Sequence, residues 1–302
     1  MILHILTGCT AVGKTEWGLR WAEERNAEIV SCDSLQFYRG MDIGTAKPTA
    51  PERARVPHHL IDCCEVSEPM NSARYAIMAR AAAEAIHARG REILAVGGSG
   101  FYLKSFFGPI SDSPEASDAV RCRVRNLLEC EGLSAAVSAL LALNPEGLGP
   151  IDLANPRRVQ RALERCLASG RTLAQLAADF GRAPAPFADW DVRVTVVDRP
   201  AEEVSRRIDG RVAQMLESGL VREVEGLLGK GLLLNPSGAR AIGYREVIDH
   251  LQGRLRADEL PAAIARNTRA LAKKQRTWFR TQLPPHRVVD ASAAGLPGGL
   301  FD

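Results

Sequence analysis

An apolar run, Ile2 to Thr7, leads straight into Gly8-Cys9-Thr10-Ala11-Val12-Gly13-Lys14-Thr15, which has the spacing G-x-x-x-x-G-K-[ST]. Such a loop constrains the fold strongly. Its backbone N–H groups can wrap an anion only if a strand delivers the loop to the N-terminus of a helix, where the helix dipole adds positive potential. The glycines let the chain curl, Lys14 supplies a full charge, and the Thr15 hydroxyl can hold Mg²⁺. All eight residues, Gly8 to Thr15, are therefore candidates for binding a diphosphate or nucleotide. The motif does not say which.

The rest of the chain reads as the matching architecture. A helix is expected from Lys14 to about Arg25, a strand over 28–32 ending at Asp33, a helix over 72–89 and a strand over 93–97. Residues 33–58 are punctuated by Gly and Pro and read as a long loop, the kind that usually carries function. From Pro109 the strand signal stops. Residues 111–190 read as helical, with breaks at Asn144-Pro145, Gly149-Pro150 and Asn155-Pro156, before VRVTVV at 192–197 resumes the strand pattern. Apolar residues from Val204 to Leu227 keep helical spacing, which predicts one helix over 201–229. The expected fold is α/β. A P-loop NTPase-like parallel sheet flanked by helices spans 1–110 and 191–302, and an all-helical insertion domain spans 111–190.

Composition narrows the function classes. No run of 18 apolar residues exists, so no membrane span is expected, and MILHILTG lacks the basic start of a signal peptide. Seven cysteines without a CxxC pair point to reduced thiols and a cytoplasmic protein. His58, His59, Cys63 and Cys64 cluster, but adjacent ligands are not the spacing of a structural zinc site. The net charge of +3 is concentrated in residues 191–302, which hold 18 basic and 14 acidic side chains. A nucleic-acid partner would have to be met by local clusters.

A strand ending in a free carboxylate would favour phosphoryl transfer. The candidates are VTVVD, ending at Asp198, and HLID, ending at Asp62, and neither fits well. Asp33 follows the second strand directly. In open α/β sheets that end of the strand faces the ligand crevice, so Asp33 can be a general base or simply a turn cap.

Beyond the P-loop the residues become specific. SCDSLQFYRGMDIGTAKP (31–48), VPHHLID (56–62), GGSGFYLK (97–104), ANPRRVQRALE (154–164), ARAIGYRE (239–246) and NTRALAKKQRTWFR (267–280) together resemble the tRNA dimethylallyltransferases, in that family's order and along nearly the whole chain. Three departures stand out. Cys9 replaces the family's usual Pro, Val12 its usual small residue, and Ser99 its usual Thr. The lack of a zinc-finger pattern at the C-terminus looks like the bacterial form.

The resemblance implies transfer of a dimethylallyl group from dimethylallyl diphosphate, with Mg²⁺, to N6 of the adenosine 3′-adjacent to the anticodon (tRNA position 37) in tRNAs reading codons that start with U. The P-loop would hold the departing pyrophosphate. Asp33 matches the family's base, Thr10 a hydroxyl near the bridging oxygen, and Arg240 an arginine that clamps the diphosphate. Asp33, Ser34, Leu35, Gln36 and Ser99 fall where the family surrounds the extracted adenine. Arg121, Arg157, Arg158, Val159, Gln160 and Arg161 fall where it contacts the anticodon stem-loop. A monomer is expected.

The last helix adds a feature of its own. Arg266, Arg269, Lys273, Arg276 and Arg280 recur at spacing that puts them on one face, beside Trp278 and Phe279, as suits a phosphate backbone. A P-loop small-molecule kinase is the alternative enzyme. A nucleotide-gated RNA-binding protein without catalysis is the non-enzyme reading, in which Asp33 would have no role.

Overall fold

The computed structural model describes residues 1–110, 115–292, 297 and 299–301. β1 (Ile2–Thr7) is buried from Leu3 to Thr7 and lies inside a six-stranded parallel sheet. After it come α1 (Lys14–Arg25), β2 (Ala27–Ser31), α2 (Ala50–Arg55), β3 (His58–His59), α3 (Ser72–Ala88), β4 (Glu92–Val96) and α4 (Gly100–Leu103). The sheet order is β3-β2-β4-β1, completed by β5 (Asp191–Asp198) and β6 (Arg287–Asp290). β1 is registered with Leu6 opposite Val96 and Thr7 opposite Val196. The loops after β1, β2, β4 and β5 therefore all leave the carboxyl ends of the strands, which is where a doubly wound sheet collects its ligands.

The chain separates into two compact units, Met1–Gly108 with Pro186–Asp302, and Pro109–Ala185. Residues 186–190, expected in the insertion, belong to the larger unit. Phe187 and Trp190 are buried there, Phe187 lies 4.9 Å from the Phe106 ring, and the Arg80 guanidinium covers both rings. The smaller unit holds α5 (Asp118–Cys130), α6 (Gly132–Ala142), α7 (Pro156–Ser169) and α8 (Leu173–Arg182) around its own core of Val124, Leu140, Val159, Leu163 and Leu176. Buried Asn144 ties this core together, donating to the Leu140 carbonyl and accepting from the Leu173 N–H. Residues 111–114 of the expected insertion lie outside the described residues.

The remaining elements are α9 (Ala201–Glu217), α10 (Leu220–Leu228), α11 (Pro236–Ala239), α12 (Tyr244–Leu251) and α13 (Leu260–Gln282). The single helix expected over 201–229 is thus two. Gly219, at φ +98°, turns the chain into a conformation no helix interior allows, while Leu216 and Leu220 keep the apolar stripe running across the break. The expected loop 33–58 contains α2, whose N-cap Thr49 and Glu52 form a reciprocal capping box, and it ends at the edge strand β3.

Candidate active site

The P-loop curls tightly because Gly13 takes φ +102° immediately before α1. Its carbonyls are tied to cations. The Lys14 ammonium donates to the Gly8 and Cys9 carbonyls at 2.8 Å each, Arg207 Nε to Ala11 at 2.7 Å, and Arg199 Nε to Val12 at 2.7 Å. With its oxygens held this way, the loop is a concentrated positive site. Cys9 and Val12 have side chains buried in the main core, so neither substitution intrudes on a ligand there. Burial, with Arg211 adding to it, lowers Lys14 to about 8, against the pull of Cys9 and Asp33.

Two cavities meet at this loop. One, of about 120 Å³, is lined by Lys14, Thr15, Gln36 and Pro48 among others. The other, of about 420 Å³, is mostly apolar, with Leu35, Phe101, Ile208, Met215, Ile242, Leu271 and Trp278 on its walls. Thr10, Asp33, Thr45, Gly98, Arg211 and Gln275 line both. These six residues form the shared wall where a phosphate-bearing molecule on one side can react with something seated on the other. A third cavity, of about 870 Å³, opens beside Ala11, Thr15, Arg53 and Arg207.

Asp33 stands in that wall because β2 ends at Ser31 and the chain turns at once, with the Leu35 N–H donating to Asp33 Oδ1 at 2.9 Å. Burial raises Asp33 above its ordinary carboxylate value, opposed by the Leu35 N–H, Lys14 and Arg211. A carboxylate held in this way is a stronger base than one in water. Ser34 donates its N–H to the Ser99 hydroxyl at 3.0 Å, so the loops after β2 and β4 are joined and Asp33, Ser34, Leu35 and Ser99 line one cavity together. Gln36 faces the smaller cavity and accepts from the Ser31 hydroxyl at 2.9 Å.

Arg240 is not brought into this group. It caps the four-residue α11, is exposed, and lines none of the three cavities, whereas Ile242 from the same segment lines the apolar one. The arginine at the shared wall is Arg211 of α9. Its Nη1 lies 3.4 Å from the Thr10 hydroxyl and its Nη2 3.5 Å from the Thr45 carbonyl. The sequence carried a signal for it. Arg207 and Arg211 are four residues apart and each precedes a residue of the apolar stripe, Ile208 and Val212, so one turn of α9 presents cations beside that stripe. Gln275 was also missed. Its side-chain amide accepts from the Thr10 N–H at 2.8 Å and donates to the Gly98 carbonyl at 2.9 Å, which fixes the P-loop to the loop after β4. Glu223 does a similar task from α10, accepting from the N–H groups of Asp42, Ile43 and Gly44 and from the Tyr244 hydroxyl, and so holds the segment that carries Thr45.

Neither carboxylate weighed for metal-assisted phosphoryl transfer is free. Asp198 accepts from Arg276 Nε and Nη2 at 3.1 and 2.7 Å, and Asp62 accepts from Lys47 and Arg53 at 2.6 and 2.8 Å. Among the described residues no group of three His, Cys, Asp or Glu is arranged to hold a metal. His59 instead pairs with Glu28 at 2.6 Å.

The Arg276–Asp198 pair also corrects the basic stripe on α13, as does the ion pair of Arg269 with Asp209. Those two arginines are engaged within the fold, leaving Arg266, Lys273 and Arg280 exposed. No helix among the described residues is long and apolar enough to cross a membrane.

In the smaller unit, Asn155 caps α7 by accepting from the N–H groups of Arg157 and Arg158, which leaves both side chains exposed on its first turn. Val159 is fully buried in the helical core and cannot touch a partner. Gln160 donates to Glu164 at 2.8 Å, and Arg161 lies 3.8 Å from the same carboxylate. Arg121, on α5, pairs with Glu115 at 3.1 Å.

Residues 36–282 match the IPP transferase family. A tRNA dimethylallyltransferase of Opitutus terrae is 67% identical over 300 residues, covering 99% of this chain and 96% of that protein. One from Trichlorobacter lovleyi is 40% identical, covering 92% of this chain and 90% of its own length. Among solved structures, a tRNA isopentenylpyrophosphate transferase from Bacillus halodurans aligns over 96% of this chain and 89% of its own, with TM-score 0.67 and 34% identity. A eukaryotic dimethylallyltransferase acting on tRNA aligns over 96% of this chain and 73% of its own, with TM-score 0.81 and 26% identity. With its P-loop, its six-stranded parallel sheet and these relatives, the chain belongs to the IPP transferase family of tRNA dimethylallyltransferases.

Proposed function

We propose that this protein transfers a dimethylallyl group from dimethylallyl diphosphate to N6 of the adenosine at tRNA position 37, in tRNAs reading codons that start with U, and releases pyrophosphate. The observation that carries the reading is the shared wall. One half-buried carboxylate, Asp33, and one guanidinium, Arg211, line both an apolar cavity and a P-loop cavity. An adenine and a five-carbon chain suit the apolar side, and a diphosphate suits the other.

The chemistry follows from the residues. The adenosine amine is a weak nucleophile because its lone pair is delocalised into the ring. Asp33 takes its proton as the new C–N bond forms. As the allylic C–O bond breaks, negative charge grows on the departing pyrophosphate, opposite the P-loop N–H groups, Lys14 and Arg211. The Thr10 hydroxyl, beside Arg211, donates toward the bridging oxygen. Mg²⁺ fits the donor set, since the Thr15 hydroxyl with diphosphate oxygens makes the oxygen-rich, partly substrate-built site that this ion prefers, and when bound it neutralises leaving-group charge. The pyrophosphate is released whole, consistent with Asp198 and Asp62 being engaged elsewhere.

The tRNA is held in part by the insertion unit, residues 109–185, through its anticodon stem-loop. Arg157 and Arg158 support this. They sit on the first turn of α7, where the helix dipole disfavours cations; Asp152 lies 3.6 Å from Arg158, and a phosphate backbone would relieve that cost at Arg157. The protein works as a cytoplasmic monomer.

Incubation with labelled dimethylallyl diphosphate, Mg²⁺ and unmodified tRNA tests the reading. Label should enter tRNAs that carry an adenosine at position 37 and read codons starting with U, and no others. Failure to label any such tRNA, or transfer of phosphate from ATP to a small molecule instead, would refute it.

A further inference from the structure

Phe101 is 82% exposed, more than any other large apolar side chain described as exposed, and it lies on the wall of the apolar cavity. Its position is imposed. On the short α4, Tyr102 and Leu103 are buried, so Phe101 faces outward. The turn is packed in place, because Gly100 lies so close to the Trp278 indole that a Cβ there would come within 2.6 Å of it. Ser99, two residues earlier, accepts from the Ser34 N–H at 3.0 Å. The backbone of this turn is therefore fixed at the cavity that Asp33 lines, with the Phe101 ring standing out from it, and Lys274 lines that same cavity. An exposed aromatic face and an ammonium lining one cavity are the groups that bind an unstacked nucleotide, with the base on the ring and the phosphate on the cation.

From this arrangement we infer that Phe101 is a stacking platform for the nucleobase adjacent to the adenosine that enters the cavity. The inference rests on the function proposed above. Drawing one base out of a loop exposes a face of its neighbour to water, and Phe101 covers that face. It is a positioning residue. It holds the RNA so that the adenine stays inserted, and it touches no reacting atom.

The test uses the full-length protein and an anticodon stem-loop RNA carrying 2-aminopurine, in separate samples, on either side of the target adenosine. Its fluorescence reports stacking. Wild type and Phe101→Tyr should quench one of the two probes on binding, and Phe101→Ala should not. The KM for RNA should rise roughly tenfold or more in Phe101→Ala, the range expected for losing one base–aromatic stack, while the KM for dimethylallyl diphosphate stays within about twofold. Phe101→Leu, which keeps apolar bulk without a π-face, should behave like Phe101→Ala. Quenching and RNA KM unchanged in Phe101→Ala, or full activity in Phe101→Leu, would overturn the inference while leaving the transferase reading intact. Absence of transfer by the wild-type protein overturns both.

Discussion

Replacing Arg211 by Met removes the one guanidinium that touches both sides of the shared wall, and its consequences can be worked out in advance. The side chain contributes a charge to the departing pyrophosphate. Removing one preorganised donor to a developing anion costs about 10²–10³ in rate, so kcat should fall by that factor. Arg211 also acts on two titrating neighbours. Its positive charge holds the raised Asp33 pKa lower than burial alone would set it, and it pushes Lys14 down. Loss of the charge therefore moves both pKa values up. Asp33 must be deprotonated to act, so the acid limb of kcat/KM lies above the ordinary carboxylate range and shifts further toward neutral pH in the variant. Lys14 must be charged to hold the diphosphate, so the alkaline limb, which starts near 8 in the free enzyme, also moves to higher pH. The bell should drop in height and slide upward as a whole. Because burial already disfavours the charged guanidinium, the melting temperature should change little. A pH–rate profile from transfer assays on both proteins decides the matter. A variant that loses rate with both limbs unmoved, or loses less than about tenfold, would show that Arg211 does not act on this wall.

Three further outcomes are expected. Asp33→Asn should lower kcat by ~10²–10⁴ with tRNA affinity retained in a filter-binding assay, and near-normal turnover would exclude it as the base. Gln275→Ala leaves the Thr10 N–H and the Gly98 carbonyl without the amide that joins them, so the KM for dimethylallyl diphosphate should rise with a stability loss of about 1–3 kcal/mol, read by urea unfolding. Arg157→Ala should weaken tRNA binding and reduce the slope of log affinity against log salt by about one unit, whereas an unchanged slope would mean the side chain meets no phosphate.

What could be read from the sequence followed from how local its causes are. β1, the P-loop and α1 are specified by adjacent residues, and the helix was expected to begin at Lys14, where it does begin. Asp33 was placed because it directly follows its strand. The errors lie where distant residues decide. Arg269 and Arg276 look like a solvent stripe until Asp209 and Asp198 are folded against them. Arg211 was hidden in a helix read only for its apolar face, and Gln275 contacts a loop 265 residues earlier in the chain. β3 and β6 are two- and four-residue strands at the two edges of the sheet, too short to leave a periodic signal. Val159 was assigned to RNA contact with its neighbours, although helical geometry turns one residue in such a run toward the core.

The neighbours of β1 also bear on how the protein is made. One edge pairs with β4, complete by residue 96, but the other pairs with β5, which begins at Asp191. Between them the ribosome must synthesise Pro109–Ala185, which takes roughly 4–15 s at about 5–20 residues per second. Throughout that interval the nascent chain can hold a half-sheet whose open border is β1 itself, a strand with no charge among Leu3, Ile5 and Leu6 to repel another chain. The insertion has a core of its own, so it does not supply the missing neighbour of β1. The first strand to be synthesised thus stays unprotected the longest, and slow translation of the insert would raise the risk of aggregation more than slow translation elsewhere.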